Sequence, residues 1–212
     1  MSADFTIGGK AFTIGQSLCD PCQSAKEEEL ETQSRVSHAA GRPAWEDICP
    51  EAYRGFKMEK LPVDSRHVAF KALEWQWNPK GVGLIGDSRA GKTFIMHELA
   101  RRIYVEGGKI KLTSGTEFAY ACGSSEAGER RAMIDSCISV SHLFLDDIDK
   151  MKMTDRVESD FYHVIEQRRR AMKPVFVTLN ASGAELTQKM SANGGDPIVN
   201  RLRHDVCEFY AV

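Results

Sequence analysis

From about Pro50 the apolar positions follow two alternating rhythms. Val68, Ala72 and Trp75 recur at i, i+4 and i+7 after a Pro62…Asp64 start signal, and this spacing predicts an amphipathic helix. Val82-Gly83-Leu84-Ile85 is a short unbroken apolar run of the kind that forms a buried strand. Ile95, Leu99 and Ile103 mark a helix closed by Gly107-Gly108, and Lys109–Thr113 reads as a second strand. Leu143-Phe144-Leu145 is the core of a third strand, and Val157, Phe161, Val164 and Ile165 define one more helix. Val175–Leu179 is a fourth strand, and a last apolar piece runs from Cys207 to Val212. Strands alternating with helices predict a parallel sheet covered on both faces.

Residues 1–50 differ in texture. They carry Gly8-Gly9, the pair Cys19 and Cys22, and an acidic stretch Glu27–Glu31 suited to a short solvated helix, before Gly41-Arg42-Pro43 breaks regular structure. The expected organisation is a small N-terminal module over 1–50, docking a partner, and one larger domain over 51–212.

A chain of 212 residues that is 42% hydrophobic and 27% charged is globular, which excludes a mainly disordered or collagenous protein. No apolar run approaches the roughly 18–20 residues that a membrane helix needs, and no export signal precedes the module. The expected location is therefore cytoplasmic, away from membranes. A net charge of −2 argues against coating nucleic acid by bulk charge, although a local basic track remains compatible with it. Of the six cysteines, Cys122, Cys137 and Cys207 adjoin apolar neighbours and read as buried, unreactive thiols.

The sharpest chemistry lies after the first buried strand. Gly86-Asp87-Ser88-Arg89-Ala90-Gly91-Lys92-Thr93 fits G-x-x-x-x-G-K-[ST] at every fixed position, between a strand end and a helix start. Its glycines let successive N–H groups turn inward on phosphate oxygens, and the helix N-terminus adds partial positive charge. Lys92 is placed to bridge the terminal phosphates of ATP, and the Thr93 hydroxyl to ligate Mg²⁺.

Leu143–Leu145 stops at two carboxylates. Asp146 is positioned to hold Mg²⁺ and Asp147 to polarise an attacking water, although Asp146, Asp147 and Asp149 also suit a solvated loop. The strand Val175–Leu179 ends at Asn180, an amide able to orient that water and also a common turn residue. Arg201, with Arg203 as its competitor, is a candidate for neutralising charge at the terminal phosphate, although without further context a solvated helix face explains it better.

This ordered set resembles the AAA+ ATPases, and within them the DnaC/DnaI/IstB-like helicase loaders and transposition helpers. The similar stretches run from Cys49-Pro50-Glu51-Ala52-Tyr53-Arg54 to the C-terminus and include Leu143–Lys150, Ile165-Glu166-Gln167-Arg168 and Pro174…Asn180. The resemblance implies a five-stranded parallel sheet in the order 5-1-4-3-2 and assembly-dependent ATP hydrolysis. It makes Gly86–Thr93 the Walker A loop, Leu143–Asp147 the Walker B strand, Asn180 sensor 1, and Arg201 an arginine finger acting on a neighbouring copy, hence a homo-oligomer. Single-stranded DNA and a replicative helicase, or alternatively a transposase, are the partners it implies. Two features depart from the pattern. Asp147 is one methylene shorter than a glutamate, and the chain reaches Val212 directly after the last strand, leaving no full helical lid. A weak ATPase in isolation is expected.

Cys19-Asp20-Pro21-Cys22 places two thiols on one tight turn, a geometry suited to Zn²⁺, with His38 and Cys49 available as further ligands. DnaI-like members carry a similar N-terminal zinc module that binds the helicase. Arg101-Arg102, Lys109, Lys111 and Arg168-Arg169-Arg170 are candidates for nucleic-acid phosphate contacts, each equally at home on a solvated helix end. Trp75 and Trp77 could stack a base, but tryptophans this close to a strand read first as core. A P-loop kinase of small molecules is disfavoured, since no arginine-rich lid insertion is present. An adaptor that binds ATP without hydrolysing it has the same loop.

Overall fold

The structure, a computed structural model, describes residues 4–7, 10–13, 41–180, 185–186 and 195–212. The chain divides into two compact units, Met1–Ala44 and Trp45–Val212. In the first, strands β1 (Asp4–Ile7) and β2 (Lys10–Thr13) pair antiparallel, Ile7 opposite Lys10. Cys19, Cys22, His38 and the acidic stretch Glu27–Glu31 lie outside the described residues.

The second unit is built on β3 (Gly81–Ile85), β4 (Ile110–Ser114), β5 (His142–Asp146), β6 (Val175–Leu179) and β7 (Cys207–Ala211). They lie side by side in the order β4-β5-β6-β3-β7, with every pairing parallel. Counted among themselves these strands run 5-1-4-3-2, the order that the resemblance implies. The α-helices of this unit include α1 (Trp45–Ile48), α2 (Val63–Leu73), α3 (Lys92–Val105), α4 (Gly115–Gly123), α5 (Ala127–Ser139), α6 (Asp155–Arg170) and α7 (Gly195–Arg201). A π-helical turn over Leu202–Val206 leads into β7. Among the described residues no helix is long and apolar enough to cross a membrane.

Strand alternation divides the core into two layers, because successive side chains leave a strand on opposite faces. Leu143, Leu145, Val175 and Val177 join Phe118, Cys137, Phe161 and Ile165 of α4, α5 and α6 on one face. Phe144 and Phe176, one residue out of step, stack at 4.3 Å on the other face with Val68, Ile95, Leu99 and Ile103 of α2 and α3. Burial on both faces explains why these strands are apolar without a break.

The structure shifts or adds several elements. Helix α2 ends at Leu73, so Trp75 lies just beyond it. Helices α4 and α5 fill the stretch between β4 and β5 where no element had been placed. A reciprocal cap opens α4: the Ser114 hydroxyl accepts from the Glu117 N–H while the Glu117 carboxylate accepts from that of Ser114. Cys122, Cys137 and Cys207 are buried free thiols, and burial pushes each one upward in pKa, Cys122 to about 12.

Candidate nucleotide site

The strand–loop–helix joint forms as its residues dictate. Gly91 stands at the N-terminus of α3 with φ +94°, left-handed backbone that favours glycine, and a Cβ there would sit 2.4 Å from Leu61 Cδ2. Gly91 offers no capping side chain and the first turn of α3 holds no acidic residue, so its early N–H groups face the loop unclaimed by either. Asp87, Ser88 and Arg89 are exposed and Ala90 half-buried; Arg89 takes φ +68°.

Lys92 is only 5% exposed. Its ammonium donates to the carbonyls of Gly86 at 2.9 Å and Asp87 at 2.7 Å, and to Asn180 Oδ1 at 2.8 Å. Burial lowers its pKa, against the upward pull of Asp147, Asp149, Asp146 and Asp87. Three neutral acceptors thus hold a cation that several carboxylates keep charged.

Next along the helix, Thr93 donates from Oγ1 to Asp146 Oδ1 at 3.1 Å, and Thr178 donates to the same oxygen. Burial raises the Asp146 pKa, partly offset by those hydroxyls. Asp147 adopts left-handed backbone at φ +53°, tolerated best by Asn and Asp, and its N–H donates to Thr178 Oγ1 at 2.8 Å. Its carboxylate pairs with Lys150. Asn180 is fixed at both ends, its amide oxygen by Lys92 and its N–H by Asp149 Oδ1 at 3.0 Å.

The ends of β3, β5 and β6 therefore bring Lys92, Thr93, Asp146 and Asn180 into one hydrogen-bonded cluster. Thr178, Asp149 and Lys150 complete it and were not picked out from sequence as site residues. For Thr178 a signal existed: a lone hydroxyl in the otherwise apolar Val175–Leu179, completely buried. Asp149, for which a solvated loop was only the alternative reading, is 8% exposed and bonds the strand tip.

Arg201 belongs to a different place. Its Nε donates to Glu166 Oε2 at 2.8 Å and its Nη1 to the Pro197 carbonyl at 3.2 Å, while the guanidinium lies 4.7 Å from the Tyr162 ring centre. Two residues along α6, Arg168 binds carbonyls that precede β5 and β6. Arg201 is thus held nearer the starts of strands whose far ends carry the loop, and none of its contacts among the described residues is with that loop. Arg203 is exposed.

Among the basic candidates, Arg168 needs correction. Arg168 is no phosphate contact: it is fully buried and donates to the carbonyls of Cys137, Val140, Ser141 and Pro174. Arg101 and Arg102 pair with Glu98, and Arg169 and Arg170 with Glu166. Trp75 is packed, its Nε1–H on the Lys80 carbonyl and its ring edge-on to Phe176 at 5.0 Å, as a core residue should be. Trp77, by contrast, is 60% exposed.

Cys49 does not suit the zinc set. It is 2% exposed in the core of the second unit, its thiol 3.6 Å from His97 Nδ1, and burial raises its pKa, the reverse of what a thiolate ligand requires. Among the described residues no group of three or more His, Cys, Asp or Glu side chains is arranged to hold a metal. Mg²⁺ does not need such a group, since it binds one or two protein oxygens and completes its shell with phosphates and water. The half-buried oxygen pair of Thr93 and Asp146, beside the first N–H groups of α3, fits a cation accompanied by an anion.

No family model matches the chain, and no curated protein does either. Solved structures match by fold. The DnaC helicase loader aligns at 14% identity and TM-score 0.61, over 77% of this chain and 99% of that one. DnaI aligns at 16% and 0.62, over 77% and 94%. The replication initiator DnaA bound to AMPPCP and single-stranded DNA aligns at 18% and 0.61, over 77% and 50%. The chain spans about half the length of the AMPPCP-bound DnaA structures it matches. Its larger unit shares the fold of these DnaC, DnaI and DnaA structures.

Proposed function

We propose that this protein binds and hydrolyses ATP with Mg²⁺ and acts as a helicase loader on single-stranded DNA. One observation carries the catalytic half: Lys92 and Thr93, adjacent on one helix, bond the side chains at the ends of β6 and β5 respectively. That cluster supports reading Lys92 as the phosphate-binding ammonium, Thr93 with Asp146 as the metal-binding oxygen pair and Asn180 as the polar sensor. The choice of a loader is supported by likeness to DnaC and DnaI, whose lengths the chain nearly spans.

In this scheme the loop amides and the start of α3 take the phosphates, and the Lys92 ammonium exchanges its carbonyl partners for phosphate oxygens. Thr93 and Asp146 would hold Mg²⁺, which supplies positive charge against the phosphate oxygens. Asp147 orients the attacking water and accepts its proton, and Asn180 fixes that water through its amide. Arg201 acts in a neighbouring copy, because its own loop lies at the other end of the strands. A finger of this kind is worth ~10³–10⁵ in rate where it has been measured.

The test uses the full chain. Lys92→Ala should abolish ATP binding in calorimetry. Arg201→Ala should keep ATP affinity and lose hydrolysis stimulated by single-stranded DNA. Mixing the two inactive variants should restore turnover, because each supplies what the other lacks; no recovery at any ratio removes the shared site. Phosphate passing to a small-molecule acceptor faster than to water would make the protein a kinase instead. A transposase rather than a replicative helicase recovered in ATP would redirect the proposal to a transposition helper.

A further inference from the structure

Glu166 is a heavily engaged carboxylate of the larger unit. Its side chain is 10% exposed, and it accepts from Arg169 through both oxygens, from Arg170 Nε at 2.8 Å, and from Arg201 Nε at 2.8 Å. These guanidinium groups hold its carboxyl far below the usual carboxylate range, the Arg169 hydrogen bonds first and that of Arg201 next.

The three partners are not equivalent. Arg169 and Arg170 lie three and four residues along the same helix and are 41% and 66% exposed. Such neighbours form wherever spacing allows and contribute little. They already supply two positive charges to one carboxylate, so neutralising Glu166 does not require a third. Arg201 arrives from 35 residues away in sequence and is 25% exposed. The Glu166–Arg201 contact does more for the arginine than for the carboxylate.

Its geometry says what that is. Glu166 takes the Nε edge of the guanidinium and the Pro197 carbonyl takes Nη1, fixing rotation within the plane. The Tyr162 ring at 4.7 Å limits tilt out of it. Nη2 donates to no partner among the described residues. We infer that Glu166 is a positioning residue: it aims Arg201 so that the Nη2 edge is presented to the nucleotide of a neighbouring copy. This rests on the proposed trans role of Arg201 and extends it, since a preset donor reaches developing charge without reorganising during the reaction.

An opposite role for the same contact is a latch that sequesters Arg201, and the two predict opposite signs. In assembled full-length protein with ATP and single-stranded DNA, Glu166→Ala should lower the stimulated kcat roughly 10- to 100-fold, the scale of a displaced catalytic group. The KM for ATP should not move. Glu166→Gln, which keeps an acceptor oxygen for Arg201 Nε, should recover most of the rate. The double variant Arg169→Ala/Arg170→Ala should stay within about twofold of wild type, as exposed same-helix pairs permit. Mixing Glu166→Ala with Lys92→Ala should restore turnover, because the second chain lends a correctly aimed arginine to the first chain's intact loop.

A rise in stimulated rate for Glu166→Ala would establish the latch and overturn the inference. Wild-type kcat in Glu166→Ala while Arg201→Ala is inactive would overturn it and leave the finger standing. Wild-type kcat in Arg201→Ala would remove the finger and the positioning role together. Should Glu166→Ala melt early, the Gln variant and the double arginine variant still decide: equal losses in both would mean a merely structural charge cluster.

Discussion

Two cations are buried at opposite ends of the same sheet, and they are held in opposite ways. At the C-terminal ends of the strands, Lys92 rests on two loop carbonyls and the Asn180 amide, with Asp146, Asp147 and Asp149 close enough to favour its charge. At the N-terminal ends, Arg168 is completely buried against four carbonyls, with no carboxylate and no partner for Nε among the described residues, and burial lowers its pKa to about 10. Arg168 ties the end of α5 and the segments entering β5 and β6 into one corner. Its acceptors are main chain and belong to the fold. The partners of Lys92 are two loop carbonyls and one side-chain amide, which phosphate oxygens would replace under the proposed function. Burial of a cation alone therefore does not mark a site; the exchangeability of its partners does.

The sharpest way to break that contrast is to remove each charge in turn. Arg168→Met leaves four carbonyls without their donor, two of them in buried contacts, and should cost on the order of 4 kcal/mol, seen as a melting temperature lower by roughly 10 °C. Nucleotide affinity of the folded fraction should be unchanged. Lys92→Met should do the reverse: stability within about 1 kcal/mol of wild type, with ATP binding at least ~100-fold weaker, the equivalent of losing its charge-assisted hydrogen bonds. Equal melting losses in the two variants would mean that both cations are structural.

The same pair shows what was legible in the sequence. Lys92 announced itself because the loop is local: glycines, lysine and threonine at fixed spacing between a strand and a helix define the site in eight consecutive residues. Asp146 and Asn180 were legible as polar residues at the ends of apolar runs, and the strand order followed from the resemblance those residues carry. Arg168 was misread because Arg168-Arg169-Arg170 looks like one basic cluster. Helical geometry turns these residues 100° apart, so that one enters the core while the other two face solvent. Thr178 and Asp149 were missed for a related reason, since their importance comes from what neighbouring strands bring to them. Helices α4 and α5 went unplaced because the search followed apolar spacing. The Ser114…Glu117 capping pair that opens α4 was in plain view.

A smaller effect tests whether the ends differ electrostatically as well as in their partners. His97, packed on α3 against Cys49 and Tyr53, and His142, at the start of β5, are both driven down to about 4. Burial alone does this for His97; at His142 burial comes first and the Arg168 charge adds to it. A histidine whose folded pKa lies below its unfolded value contributes full stability above about pH 6.5. That stability is lost as pH falls toward 4, because the unfolded chain takes the proton first. Each should account for roughly 3 kcal/mol of acid destabilisation over that window, read from denaturant midpoints at stepped pH. In Arg168→Met, titration followed by NMR should show His142 moving up while His97 stays. A shift of both, or of neither, would mean that the Arg168 charge is not felt locally.

The smallest expected effect concerns the aromatic pair at the Arg168 end. Trp77 lies edge-on to Trp75 at 6.5 Å and to His142 at 5.3 Å, yet most of its ring is in water. Trp77→Ala removes one exposed aromatic contact and should cost under about 1 kcal/mol of stability. If the end that Arg168 anchors is structural, affinity for single-stranded DNA should also stay within about twofold. A stacked base contributes ~1–3 kcal/mol, so a loss of roughly fivefold or more, at one fixed salt concentration, would place nucleic acid on Trp77. The two ends of the sheet would then differ in what they bind, and no longer in whether they bind.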